Sequence, residues 1–288
     1  MMSFEYKKKF GQNFLTFVPQ EIFIPDDLLR SFRKLTIVEI GTGLGALTKE
    51  IAQHYSFALE DTKIEYHCID IDDEALDLLK EEVKKIVAPN VKFFFHNEDV
   101  LKVILHEMTE ETEALWVIGS LPYNISKKIV NWLFEQLTTI SVRAILPVKF
   151  IIQKEVAEHY VDSKNTRDFL SHVMSMYATN AKIAKILMPG SFVPAPDVVS
   201  ALMEFIPKRI TQEEFVKKEQ ILSFIRQCYT YRRKKLKQFL TKKLGVRRVG
   251  IMTEQYPSIK KAIEGRPDEV LLEEYNSLFS ACTNLEEN

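Results

Sequence analysis

The chain has 288 residues, 46% of them hydrophobic, enough to bury a substantial core and to divide into a larger and a smaller domain. Its 39 basic and 40 acidic side chains leave a formal charge of −1, so no global charge excess attracts a polyanion and any nucleic-acid surface must be local. No apolar run reaches membrane-span length, Met1 to Lys9 lacks the hydrophobic segment of a secretory signal, and neither Cys68, Cys228 and Cys282 nor the six histidines show metal or redox spacing, which predicts a cytoplasmic protein with reduced thiols and no metal.

In chain order, Lys7, Lys8 and Lys9 give a short basic tail. A β-branched run near 36–40 then enters Val38-Glu39-Ile40-Gly41-Thr42-Gly43-Leu44-Gly45-Ala46-Leu47-Thr48 and leaves through a helix-like stretch near 45–54. Alternating glycines between a strand and a helix predict a turn that lets a nucleotide-like ligand approach the backbone closely. Gly41, Gly43 and Ala46 also satisfy the looser dinucleotide pattern, so adenosyl and nicotinamide cofactors both remain open at this point. The next strand-like run, near 65–70, ends at Asp70, before a helix-like run near 73–86; a carboxylate there can accept from both ribose hydroxyls. A third, near 91–95, leads to Asp99, which can accept from the adenine amine of a cofactor. Strands ending in Glu39, Asp70 and Asp99 suit a ligand lying across the carboxyl edge of a parallel sheet.

The fourth strand-like run, near 115–118, opens into Gly119-Ser120-Leu121-Pro122-Tyr123-Asn124. This stretch has the make-up to hold a flipped adenine by its exocyclic amine. The Ser120 hydroxyl and the Leu121 carbonyl can face the two N6 hydrogens, Pro122 fixes φ and adds no competing donor, and Tyr123 offers a ring for stacking. A dehydrogenase has no use for such a clamp, which favours the adenosyl cofactor. A helix-like run near 125–137 and strand-like runs at 142–152, 181–188 and 198–206 complete an α/β pattern read as a doubly wound, Rossmann-like parallel sheet. Within it, Phe192-Val193-Pro194-Ala195-Pro196 predicts a stiff loop presenting the Phe192 ring as the second stacking surface.

After Pro207 the strand signal stops, and Thr211-Gln212-Glu213-Glu214 resembles a capping box at the head of a helical region. The expected domains are 1–207 and 208–288. From Arg226 to Arg248 the chain carries many basic residues and no acid, interleaved with Tyr229, Tyr231 and Phe239, a pattern better suited to phosphate contacts than to a solvated helix face.

These motifs, with Lys9-Phe10-Gly11-Gln12-Asn13-Phe14-Leu15, Gln153-Lys154-Glu155-Val156-Ala157, the run from Phe192 to Ser200, and Arg232-Arg233-Lys234-Lys235-Leu236, make the chain similar over most of its length to the KsgA-type small-subunit ribosomal RNA adenine dimethyltransferases. The resemblance implies seven strands with the last antiparallel, and S-adenosyl-L-methionine as methyl donor, bound by Asn13, Leu15, Gly41, Gly43, Asp70, Asp99 and Ser120. It implies methyl transfer at Ser120, Leu121, Tyr123 and Phe192 to two neighbouring adenosines near the 3′ end of small-subunit (16S) rRNA. The basic run gives RNA contacts to Arg232, Arg233, Lys234 and Lys237 on a basic helix, and the expected partner is the immature 30S subunit, met by a monomer. Two positions depart from the family pattern. Ser120 stands where the family usually has Asn, and Asn165-Thr166-Arg167-Asp168-Phe169 replaces a Tyr-Gly-Arg loop, whose contacts therefore do not carry over. Two other readings stay in view: an assembly factor that methylates weakly, suggested by Ser120, and the large-subunit dimethyltransferase of macrolide resistance, against which Leu121 to Ser126 and the Arg232-Arg233-Lys234 region weigh.

Overall fold

The computed structural model describes residues 12–161 and 167–286, so Lys7, Lys8, Lys9, Asn165 and Thr166 lie outside the described residues. The strand-like runs become β1 Lys34–Ile40, β2 Lys63–Asp70, β3 Val91–Asn97, β4 Ala114–Ser120, β5 Val148–Gln153, β6 Ala178–Leu187 and β7 Ser200–Pro207. They form one sheet in the order β3-β2-β1-β4-β5-β7-β6, with Ala144–Ile145 as a short extra strand on β4. The pairs β3/β2, β2/β1, β1/β4 and β4/β5 are parallel, and the last strand, β7, runs antiparallel to β5. This is the doubly wound sheet expected from the sequence.

The central strands explain the continuous apolar runs. In β1 every residue from Leu35 to Ile40 is buried, and in β4 every residue from Ala114 to Gly119, as required of parallel strands covered on both faces. The helices that follow β1, β2 and β4 are α1 Ala46–Ala58, α2 Asp73–Val83 and α3 Ser126–Gln136. Each buries residues at helical spacing, such as Leu47, Ile51 and Tyr55 in α1 or Leu76, Leu79 and Val83 in α2. From β1 the chain winds one way to β2 and β3 and the other way to β4 and β5, so a crevice is left where the winding reverses, at the carboxyl ends of β1 and β4.

The chain divides into two compact units. One gathers the chain through Ala157 with Thr179–Arg209 and contains the sheet; the other gathers Glu158–Ala178 with the chain from Ile210 onward. The second unit contains α4 Phe169–Tyr177, α5 Gln212–Tyr229, α6 Leu236–Leu244, α7 Val246–Gln255, α8 Lys260–Glu264 and α9 Leu272–Glu286. Thr211 caps α5 as expected: its hydroxyl accepts from the Glu214 N–H at 3.2 Å, and the Glu214 carboxylate accepts from the Thr211 N–H at 2.7 Å.

The expected boundary at 207/208 did not anticipate that Glu158–Ala178 joins the helical unit. Aromatic packing holds it there. Phe169 lies 6.2 Å from Tyr229, His172 stands edge-on to Tyr275 at 5.1 Å, and the Tyr177 hydroxyl donates to Glu219 at 2.7 Å. Among the described residues no helix is long and apolar enough to cross a membrane.

Candidate active site

At the carboxyl ends of β1, β2 and β4 lies a cavity of about 340 Å³ within the first unit. Its floor is made where two motifs meet backbone to backbone. Ile40 pairs in register with Gly119, and a Cβ on Gly119 would stand 2.3 Å from the Ile40 carbonyl oxygen. On the facing side Gly41 has φ +72°, and a Cβ there would stand 2.8 Å from the Ser120 carbonyl oxygen. Only glycine at both positions lets the ends of β1 and β4 approach this closely. The Gly41 N–H donates to the Ile69 carbonyl at 2.9 Å, tying the turn to β2 as well.

Asp70, at the end of β2, faces this turn. Its Oδ2 accepts from the Gly43 N–H at 2.8 Å and its Oδ1 from the Asp72 N–H at 3.0 Å. Burial pushes the Asp70 pKa up, against the lowering effect of those same backbone donors. Each carboxylate oxygen keeps a second lone pair for a ligand hydroxyl. Asp99 caps a short 3-10 turn, its Oδ1 accepting from the Leu101 N–H at 3.0 Å. Leu15 reaches the cavity on a two-residue strand, Phe14–Leu15, that pairs antiparallel with Phe192–Val193, and Asn13 from the position just before it. Between them the Phe14 ring covers the glycine turn, so close that a Cβ on Gly43 would lie 2.5 Å from it.

The clamp residues share the same cavity. Ser120, Leu121, Pro122 and Tyr123 all line it. The Leu121 N–H is used, donating to the Ile151 carbonyl of β5 at 2.9 Å, while the Pro122 and Tyr123 carbonyls accept from the Ile125 N–H and the Ser126 hydroxyl, each at 3.2 Å. The Leu121 carbonyl takes no part in these bonds. One space therefore brings together Asn13, Leu15, Gly41, Gly43, Asp70, Asp99, Ser120, Leu121 and Tyr123.

Phe192 is the exception and a correction to the sequence reading. It is 2% exposed and belongs to the hydrophobic core, so its ring is not available to stack on a base. Successive residues of a strand point to opposite faces, and it is Val193, 46% exposed, that faces the cavity. Sequence reasoning also passed over Phe14, Ile71 and Val193 as wall residues, and gave no role to Ser200, whose hydroxyl lies 2.5 Å from that of Tyr123.

Glu39, beneath the glycine turn, is 1% exposed. Its Oε2 accepts from the Thr48 hydroxyl at 2.7 Å and the Tyr66 hydroxyl at 2.6 Å. Burial pushes its carboxyl from the usual 4.5 up to about 7, despite these two donors, which act to lower it. Between pH 4.5 and about 7 the folded protein keeps a proton that the unfolded chain has lost, so the stability this group contributes falls as pH rises through that window. Relative to a Glu39→Gln variant, the parent should lose a few kcal/mol between those limits and level off above them. Denaturant unfolding of both proteins across the pH series measures this, and a constant difference would mean that Glu39 titrates as an ordinary carboxylate.

The basic run lies in the second unit and differs from the expectation of a basic helix. Arg232, Arg233 and Lys234 sit in the turn between α5 and α6, and all are exposed. Arg232 stands 3.9 Å from both Asp168 and Asp268, and Lys237 is 3.0 Å from Glu264, so acids distant in sequence offset part of the charge. The interleaved aromatics are engaged within the fold: Phe239 is buried, the half-buried Tyr231 packs on it at 5.6 Å, and the hydroxyl of the half-buried Tyr229 donates to the Arg167 carbonyl at 3.1 Å.

Residues 3–279 match the model of the ribosomal RNA adenine dimethylase family. The chain is 30% identical over 239 residues to a Ribosomal RNA small subunit methyltransferase A of Clostridium botulinum, covering 81% of this chain and 78% of that one. It is 28% identical over 277 residues to the protein of the same name from Alcanivorax borkumensis, covering 94% and 88%. Two solved structures share the fold. The 23S rRNA methyltransferase ErmE has a TM-score of 0.61 at 21% identity, covering 93% of this chain and 99% of that one. A dimethyladenosine transferase from Plasmodium falciparum has a TM-score of 0.61 at 18% identity, covering 87% and 90%.

Proposed function

Because the chain belongs to the ribosomal RNA adenine dimethylase family, we propose that it uses S-adenosyl-L-methionine to dimethylate N6 of two adjacent adenosines near the 3′ end of small-subunit rRNA, acting in the cytoplasm as a monomer on the immature small subunit. The observation that carries this reading is the single cavity shared by the glycine turn and Ser120-Leu121-Pro122-Tyr123, which puts a cofactor cradle and a base clamp within reach of each other. The unit that contains the sheet supplies this chemistry, and the helical unit, which takes in Glu158–Ala178 with the chain from Ile210 onward, the rRNA contacts.

The residues present fit the cofactor. Gly41 and Gly43 leave the backbone bare where side chains would fill the cradle, the Asp70 carboxylate would take the ribose hydroxyls, and Asp99 the adenine amine. Asn13 and Leu15 would close the cradle from the other side. When bound, S-adenosyl-L-methionine supplies a sulfonium methyl that is already electrophilic. The protein's own task is to aim the target amine and raise its nucleophilicity. Free adenine delocalises the N6 lone pair into its ring. The Ser120 hydroxyl and the Leu121 carbonyl, by accepting the two N6 hydrogens, favour a tetrahedral nitrogen whose lone pair is directed outward, and the Tyr123 ring holds the flipped base. With Phe192 in the core, stacking falls to Tyr123 on one side.

Mass spectrometry of rRNA from purified immature small subunits incubated with protein and cofactor tests the reading. Dimethyladenosine at two adjacent positions is expected. Unmodified rRNA with intact binding would leave a weakly methylating assembly factor, and modification confined to large subunits would point to the macrolide-resistance activity.

The basic turn has its own expected result. Arg233→Gln with Lys234→Gln should lower rRNA affinity and flatten its dependence on log salt by about one unit per lost phosphate contact, with cofactor binding intact. Arg232→Gln and Lys237→Gln should have smaller effects, because Asp168, Asp268 and Glu264 already neutralise part of their charge. A parental salt slope in the double variant would return this run to a solvated face.

A further inference from the structure

We propose that Ser200 is a positioning residue for methyl transfer, its buried hydroxyl holding the Tyr123 ring in the orientation on which the target adenine stacks; this rests on the base-clamp reading given above. Ser200 is the first residue of β7, 0% exposed, and pairs with Gln153 at the end of β5. Its Oγ lies 2.5 Å from the Tyr123 hydroxyl. A buried hydroxyl requires a partner, and the Tyr123 phenol supplies it. The backbone around Tyr123 is fixed independently, through the Leu121 N–H on β5 and the Ser126 hydroxyl at the head of α3.

With the backbone held, a tyrosine ring keeps two torsions: tethering its tip fixes χ1, and because a phenol O–H lies in the ring plane, the direction of the bond to Ser200 also biases χ2, although the hydroxyl oxygen itself sits on that axis. The tether also decides which part of Tyr123 meets substrate. The hydroxyl is occupied within the protein, so the ring face is what remains for the cavity. Burial raises the Tyr123 pKa, so the group stays a neutral phenol. Apart from Ser120, the residues given to the cofactor (Asn13, Leu15, Gly41, Gly43, Asp70 and Asp99) lie on other segments than Tyr123 and Ser200, so loosening the tether should leave cofactor binding alone. Rate, however, depends on the approach geometry, where misplacement of about 1 Å costs on the order of a hundredfold.

The test compares Ser200→Ala, Tyr123→Phe, their combination and Tyr123→Ala on purified small subunits. Ser200→Ala and Tyr123→Phe should each lower kcat by roughly tenfold to a hundredfold, with KM for rRNA and Kd for cofactor unchanged. The double variant should be no slower than either single one, since both remove the same bond. Tyr123→Phe keeps the ring and does not touch β7, so it carries the test if Ser200→Ala loses its fold. Parental rates in both single variants, a slow Ser200→Ala beside a fast Tyr123→Phe, or additive losses would each overturn the tether. If Tyr123→Ala is slow while Tyr123→Phe is fast, only the tether fails; if Tyr123→Ala is itself as fast as the parent, the base-clamp reading fails with it.

Discussion

Asp70→Ala should weaken S-adenosyl-L-methionine binding by about 1.5–3 kcal/mol, roughly tenfold to more than a hundredfold in Kd. The basis is the position of its carboxylate, at the end of β2 and facing the glycine turn, with one oxygen bound to the Gly43 N–H and the other to the Asp72 N–H. Alanine therefore removes two things, the acceptor for the ribose hydroxyls and the anchor that orients Gly43, which places the expected loss toward the upper end of the range. Asn should be no substitute. Both Asp70 oxygens meet N–H donors, so an amide must turn its NH₂ against one of them and leave two donors facing each other. Titration calorimetry on the parent and the two variants reads this directly. Unchanged affinity in Asp70→Ala would take the residue out of the cofactor site and weaken the reading of the glycine turn with it.

Ser120→Ala should leave rRNA binding nearly unchanged and slow methyl transfer. Loss of one preorganised transition-state contact is worth about 2–4 kcal/mol where a donor has been removed, and a neutral hydroxyl acceptor belongs at or below the low end. The structure supports a direct role: Ser120 lines the cavity while the neighbouring Leu121 N–H is committed to β5, so the acceptors offered to an amine at this point are the Ser120 side chain and the Leu121 carbonyl. Ser120→Asn restores the residue usual in the family and should keep or raise the rate, because its amide oxygen reaches further than a hydroxyl. Single-turnover kinetics on small subunits measures both. If Ser120→Ala methylates at the parental rate, the Leu121 carbonyl and Tyr123 orient the amine without this side chain.

What could be read from the chain beforehand was what local pattern encodes. Alternating apolar runs located the strands, because buried parallel strands need continuous β-branched stretches, and the glycine turn and the Ser120 motif declared themselves through backbone requirements confined to a few residues. The losses occurred where distant residues decide the outcome. Phe192 and Val193 are both apolar, and only pairing with Phe14–Leu15 settles which of them faces the cavity. Arg232 reads as free charge until folding brings Asp168 and Asp268 beside it. Likewise nothing near Phe169 or His172 announces that they pack with Tyr229 and Tyr275 rather than with the sheet. Ser200 sat inside a recognised motif, yet its partner is 77 residues away.

The bare contact between Gly41 and Ser120, and between Gly119 and Ile40, sets the spacing of donor and acceptor by main chain alone. Side chains can hop between rotamers; adjacent hydrogen-bonded strands cannot slide without breaking their ladder. On the roles proposed for these residues, cofactor cradle and base clamp form one rigid jaw whose gap is fixed when the sheet forms. An enzyme that must methylate the same nitrogen twice gains from this: after the first transfer the amine is bulkier and has one hydrogen fewer to hold, and the gap that met the unmodified base meets the monomethylated one at the same distance.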